Sequence, residues 1–257
     1  LMHIKSNKGY DLHLEGVPSE DVSVIDLGGL IRLHPKDFHG IKPKLLVNEG
    51  DRIIKSQPIY FDKNNPDVIF TTFMSGVIDK IIYGNKRSIE SIDIKIDTNN
   101  KDEKVFNSYK LDEIKKIDKE KIKENICSSG IWPVLRRRPF SKIAKPSSRP
   151  KSIFIKSCNT APFSPSLKVV CEHLDFDNLQ AGCYALSKLF NVDLHMFLPS
   201  EFISEIFNKL DNINLHTFTG PHPSGNIGYH IANIDPIESK DTEVWYLCVQ
   251  DLHAIGK

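Results

Sequence analysis

The chain has no run of apolar residues approaching the ~18–20 that a membrane helix requires, and no signal peptide opens it. It is therefore expected to be soluble in itself and to carry no transmembrane segment, while remaining able to dock on something that is not soluble. Charge of one sign is lacking too: Lys+Arg 34 against Asp+Glu 33 leaves a formal net charge of +1. That balance gives no bulk electrostatic footprint for nucleic acid, so any basic site must be local. Cysteine is sparse. Cys127, Cys158, Cys171, Cys183 and Cys248 are odd in number and contain no CxxC pair. A disulfide framework, a zinc knuckle and an iron–sulfur ligand set are all disfavoured, and reduced buried thiols in a cytosolic setting are expected.

What is present is length and alternation. A chain of 257 residues exceeds the size at which single cores stop growing, so two domains are the default. Residues 3–98 read as β-rich. An opening hairpin is expected over residues 4–14, short strands near 31–33 and 44–47, and a half-buried strand over 89–96 with apolar residues at 92, 94 and 96. The polar stretch 98–104 marks a boundary, and 110–128 reads as one charged helix with a solvated Lys-rich face. From 151 the pattern becomes strand and helix in alternation. Strands are expected at 152–156, 192–198, 214–218 and 244–250, and helices at 178–190 and 201–210, the latter capped by Ser200. Such a β-α-β-α-β run predicts a Rossmann-like parallel sheet. The domains are thus expected at residues 1–100, 101–150 (a helical linker and crossover) and 151–257. Leu1 ahead of Met2 reads as an appended residue before a natural start, and residues 250–257 stop without a tail, so a fragment truncated at its C-terminus is expected.

Residues 47–59 and 70–78 place apolar alternation on either side of Gly-Asp and Ser-Gly turns. That order is similar to the biotinyl/lipoyl-carrier family of flattened barrel-sandwich domains, in which a hairpin between the two halves presents a modified lysine. Lys63 lies near the corresponding tip. It precedes a turn lengthened by Asn64-Asn65-Pro66, so the fold signal is kept and the carrier signal is not.

Three other places could carry chemistry. The loop after the first α/β strand, Ser157-Cys158-Asn159-Thr160-Ala161-Pro162, has no glycine, and Pro162 removes a donor, so a conventional NAD fingerprint is absent. The loop Gly220-Pro221-His222-Pro223-Ser224-Gly225 could cradle an anion or position His222 as an acid or base. Its residues are also strong turn formers, and His222, Ser224 and Gly225 have no partner evident in sequence. The segment Trp132-Pro133-Val134-Leu135-Arg136-Arg137-Arg138-Pro139-Phe140-Ser141-Lys142 sets aromatic and aliphatic surface beside four cations. It suits either a planar apolar ligand with polar oxygens or a structural crossover with its arginines on carboxylates elsewhere.

Taken in order, Lys8-Gly9-Tyr10-Asp11-Leu12, Glu49-Gly50-Asp51, Asp62-Lys63-Asn64-Asn65-Pro66, Ser75-Gly76-Val77, Gly84-Asn85-Lys86-Arg87, Ser129-Gly130-Ile131-Trp132, Arg138-Pro139-Phe140-Ser141-Lys142, Gly220-Pro221-His222-Pro223-Ser224-Gly225 and Gln250-Asp251 resemble the A-type subunit of the bacterial Na+-translocating NADH:quinone reductase. The resemblance runs the whole length of the chain. It implies a cofactor-free component on the cytoplasmic face of the bacterial inner membrane, within a complex that passes electrons from NADH to quinone and drives Na+ outward. FMN, FAD and iron–sulfur centres are then expected on other subunits. The segment from Trp132 to Lys142 corresponds to a region associated in that family with quinone, near the B-type membrane subunit. Trp132 and Phe140 are accordingly expected against the ring, and Arg138 and Lys142 toward its oxygens or the partner. The family also looks like a relative of the flavin-binding subunit of respiratory complex I, whose glycine-rich flavin loop is here Trp-Pro-Val-Leu-Arg-Arg-Arg, so neither flavin nor NADH is expected to bind. An assembly scaffold without quinone contact is the nearest alternative. A carrier would need an acylated or biotinylated Lys63, and intact mass spectrometry of the purified protein is expected to show that lysine unmodified.

Overall fold

The computed structural model describes residues 2–202 and 204–257. β1 (His3–Lys5) is followed by extended chain without helix or strand as far as residue 29. β2 (Leu30–Leu33), β3 (Pro43–Leu45), β4 (Arg52–Ile53), β5 (Pro58–Asp62), β6 (Asn65–Thr71), β7 (Gly76–Tyr83) and β8 (Ile89–Ile96) then build the first half. The connection holds α1 (Leu111–Ile114), α2 (Lys119–Ser128), β9 (Arg136–Arg138) and β10 (Lys142–Ile143). The second half runs β11 (Ile153–Lys156), α3 (Leu167–Cys171), α4 (Phe176–Phe190), β12 (Leu194–Pro199), α5 (Glu205–Asn208), β13 (Asn214–Thr219), α6 (Ile227–Ile234), β14 (Val244–Cys248) and α7 (Val249–Gly256).

Two small antiparallel sheets, ordered β2-β8-β7-β4 and β3-β5-β6, form the first half. Ile53, Ile59, Ile78, Ile92 and Ile94 are fully buried there, as the alternation of β8 predicts. Asp93 breaks that alternation, being buried as well. The register sets Arg32 opposite it, and two guanidinium hydrogen bonds of 2.7 Å hold its carboxylate below the usual range. The third sheet is ordered β1-β13-β12-β11-β14-β9-β10, parallel from β1 to β14, with β9 antiparallel to β14 and β10 antiparallel to β9.

Three expectations need correction. No hairpin forms over residues 4–14: His3–Lys5 pairs in parallel with β13, and Ser6 and Thr217 extend that ladder through backbone bonds of 2.9 Å. The chain thus starts in the second half and crosses to the first. The charged helix at 110–128 is two helices, because the Asp118 side chain accepts the Glu120 amide at 3.0 Å and starts a new one. The helix expected from 201 is the single turn of α5, preceded by Ser204 rather than Ser200; residue 203 of that span lies outside the described residues.

A continuous apolar core runs from the small sheets through α2 and Trp132 to α4 and the near face of the large sheet. The far face carries a separate cluster of Phe154, Phe197, Phe218 and Ile231. Within it three histidines are buried in contact: His195 and His216 share a ring hydrogen bond of 3.0 Å, and His230 stacks on Phe197 with centroids 4.0 Å apart. Burial pushes the His216 and His230 imidazoles down to about 4 and lowers His195 as well. The unfolded chain therefore binds protons that the folded chain refuses, so stability is fully present above pH ~6.5 and falls as pH drops toward 4. Thermal unfolding against pH is expected to show this loss, and His230→Gln is expected to flatten it by about 3 kcal/mol at the acid end.

Candidate functional site

The site lies where the connection after α2 meets the small sheets. Gly130, just past the helix, has φ +80, and a Cβ there would stand 2.5 Å from Thr71 Oγ1 of β6. A glycine is required on both counts. The Thr71 hydroxyl donates to the Ser129 carbonyl at 3.2 Å, fixing helix end to strand. A single 3₁₀ turn, Trp132–Val134, follows. The Trp132 indole is completely buried, donates to the Ala144 carbonyl at 2.8 Å, and meets Phe190 and Trp245 edge-on at 6.2 and 6.1 Å.

With the indole held inward, Pro133 and Val134 line a cleft of about 420 Å³ between the two halves. The opposite wall is aromatic. Phe70 stacks on Tyr60 at 4.4 Å and meets Phe38 edge-on at 4.7 Å. Arg136 and Asp251 supply its polar side. Arg136 Nη2 donates to the Ser141 carbonyl at 2.7 Å, while its Nε is shut from water without a partner. Burial pushes the Asp251 carboxyl up, against the Cys248 amide that donates to it at 3.0 Å, and burial beside Asp37 pushes the Tyr60 phenol up as well. A cleft of this size with an aromatic wall and one guanidinium accommodates a flat apolar ring bearing a carbonyl-type acceptor. Among the described residues no group of three His, Cys, Asp or Glu is placed to hold a metal ion, and no helix is long and apolar enough to cross a membrane.

The four residues expected against a quinone are divided by the fold. Trp132 offers no surface, because its ring is the peg between α4 and the large sheet. The expected contact of its ring with a ligand is corrected accordingly. Arg138 lies with its guanidinium 5.2 Å above the Tyr246 ring, and Phe140 is 58% exposed in the turn before β10. The Lys142 stem crosses Gly40, where a Cβ would meet its Cε at 3.2 Å. Period-two alternation puts Arg136 and Arg138 on one face of β9 and Arg137 on the other, and it is Arg136 that reaches the cleft. The aromatic wall of Phe38, Tyr60 and Phe70 had no local signal, since the fold alone brings it to residues 133–136.

The loop after β13 is bound up in its own hydrogen bonds. His222 Nδ1 and Thr160 Oγ1 are 3.0 Å apart, the Gly225 amide donates to the same hydroxyl at 3.2 Å, and Ser224 Oγ donates to the Gly220 carbonyl at 2.6 Å. The Asp11 carboxylate accepts the His222 amide at 2.8 Å, and His222 O accepts the Tyr10 amide at 2.9 Å. His222 thus ties the opening segment to this loop, while Ser224 and Gly225 hold the loop to itself and to Thr160. Lys63 projects from a tip set by Asp62, whose carboxylate accepts from the Lys42 and Asn64 amides at 2.8 and 3.1 Å.

A barrel-sandwich hybrid domain carried on an α/β domain, with an aromatic cleft at their junction, defines the class of protein. Family comparison makes it particular: residues 4–97 match the NqrA N-terminal barrel-sandwich hybrid domain and residues 117–257 the NqrA second alpha/beta domain. The chain belongs to the NqrA family. Curated relatives, each named as the A-type subunit of a Na(+)-translocating NADH-quinone reductase, include that of Histophilus somni strain 2336, 37% identical over 99% of this chain and 56% of the relative. Those of Haemophilus influenzae strain PittGG and Pseudomonas aeruginosa strain UCBPP-PA14 are 36% and 35% identical with the same coverage. The chain spans little more than half the length of these relatives.

Beneath the cleft, Arg137 forms an ion pair with Glu243, each side chain 17% exposed, and Glu243 also accepts from Trp245 Nε1 at 3.2 Å and Ser148 Oγ at 3.1 Å. Arg137→Met is expected to destabilise the fold by about 1–3 kcal/mol, because it removes the cation from a half-buried carboxylate that keeps only the Trp245 and Ser148 donors. Arg137→Met combined with Glu243→Gln is expected to recover most of that loss, both read by denaturant unfolding.

Proposed function

We propose that this chain acts as part of the NqrA component of a Na+-translocating NADH:quinone reductase, without a redox cofactor of its own, and that its junction cleft shapes the quinone-binding region. The cleft carries the reading: aromatic rings on one wall, aliphatic Pro133 and Val134 on the other, and the Arg136 guanidinium on its polar side. A quinone ring would lie against half-buried Phe38 and the part of Phe70 that lines the cleft while Arg136 donates to one carbonyl oxygen. Arg138, Phe140 and Lys142 continue from the cleft as the surface toward the B-type membrane subunit, on the cytoplasmic side. Electron transfer and Na+ movement belong to the assembled complex, and the chain alone has no turnover.

We read the parallel strands as Rossmann-like, since their order, β13-β12-β11-β14, is that of a doubly wound sheet starting at β11. Two features support the absence of a nucleotide from it. The loop after β11 contains Pro162 and no glycine, and the Gly220 loop spends its donors on Thr160 and its own carbonyls. The test is photo-crosslinking of an azido-quinone to the intact membrane complex, with labelled peptides identified and competed by unlabelled quinone. Competed labelling within residues 130–142 is the expected result, diminished by Phe70→Ala. Labelling confined to other subunits would overturn the quinone reading and leave this chain as an assembly scaffold.

A further inference from the structure

A second concavity, about 670 Å³, opens on the barrel-sandwich domain beside the edge strand β3. Four of its cations come from three separate segments: Lys42 just before β3 and Lys44 within it, Lys63 from the β5–β6 tip, and Arg87 from the β7–β8 turn. Among the described residues none of these four has a carboxylate partner, and no Asp or Glu lines the cavity. The one lining lysine that is paired is Lys36, on Glu90 at 3.0 Å. Half-buried Phe38, Ile41 and Leu45 and buried Ile89 make the interior apolar. In a protein of net charge +1 such a concentration of unpaired charge is a local feature.

The β7–β8 turn adds an independent observation. Lys86 and Arg87 both sit at φ +56, the left-handed region that a hairpin turn ordinarily gives to Asn-Gly. Each such residue costs about 1 kcal/mol or more against glycine. Among the described residues Arg87, the one of the two that lines the cavity, gains no ion pair in return, so its place at this rim suits an anion from outside the chain. Lysines on an edge strand also discourage strand addition, which accounts for Lys42 and Lys44 alone but not for Lys63 and Arg87.

We propose that this cavity is a docking site for anionic phospholipid headgroups, by which the barrel-sandwich domain settles on an acidic membrane surface. The layering favours lipid over a free anion or an acidic polypeptide: phosphate oxygens meet the cationic rim, and the glycerol and first acyl carbons meet the apolar interior. Exposed Tyr83, also lining the cavity, suits an interface with its ring toward the chains and its hydroxyl toward water.

The test is co-sedimentation of the protein at its full natural length with vesicles of phosphatidylcholine alone or with about one-third phosphatidylglycerol. Binding is expected with the anionic vesicles only, and it should be lost as NaCl rises from about 0.05 to about 0.5 M. A Lys42→Ala/Arg87→Ala variant is expected to bind about 25-fold more weakly, since each cation near such a surface contributes about a five-fold factor. Lys119→Ala/Lys121→Ala, on the exposed start of α2, should bind as the unaltered protein does. All four side chains are exposed, and circular dichroism checks that both variants fold. Equal binding by the rim variant, equal binding to neutral vesicles, or no binding at all would overturn the proposal. So would rim-dependent binding of an oligoglutamate peptide by a protein that ignores anionic vesicles, which would assign the cavity to an acidic polypeptide.

Discussion

The arrangement of the molecule depends on the burial of one indole. Trp132 removes an area of about 200 Å² from water, on the order of 5 kcal/mol of apolar transfer, and satisfies its single donor on Ala144. It sits on the short connection between α2 and β9, so its position fixes the end of the helix against the barrel and the start of β9 against β14. Through Phe190 and Trp245 it joins the α4 layer to the large sheet. The cleft beside it exists because the tryptophan points the other way. Its neighbours Pro133 and Val134 are left at the surface of the core, where the aromatic wall of the barrel faces them.

Charge is partitioned with similar economy. Arg32 and Arg137 are each committed to a carboxylate that the fold has largely withdrawn from water, Asp93 on the neighbouring strand and Glu243 just before β14. The cost of breaking either pair falls on the carboxylate left behind, Asp93 at 6% and Glu243 at 17% exposed, more than on the half-exposed Arg32. Arg136 is only partly committed. Among the described residues Lys42, Lys44, Lys63 and Arg87 have no carboxylate partner in the chain. Arg32 and Arg137 are thus taken up by the fold, while these four cations of the barrel's outer face are left available to partners.

Much of this is legible along the chain. Alternation in β8 and the Gly-Asp and Ser-Gly turns predict the barrel, and the strand–helix alternation after residue 151 predicts the parallel sheet, because periods of 2 and 3.6 are local properties of a chain. Boundaries are less so: a single aspartate, Asp118, divides what reads as one helix. The opening strand is not legible at all, because His3–Lys5 pairs with β13, more than two hundred residues away, and nothing local to either strand records the other.

The sequence by itself determined the two domain types, the lack of glycine in the loop after residue 156 and, through motifs shared in order, the family. Each of these rests on composition, periodicity or residue identity read along the chain. The tertiary structure alone decided that Trp132 is a peg and Arg136 the cleft arginine. It also decided that the aromatic wall comes from Phe38, Tyr60 and Phe70, and that Lys63 shares a cavity with Lys42 and Arg87. Adjacency across sheets and the inward or outward turn of a side chain are set by packing, and packing is a property of the whole chain at once.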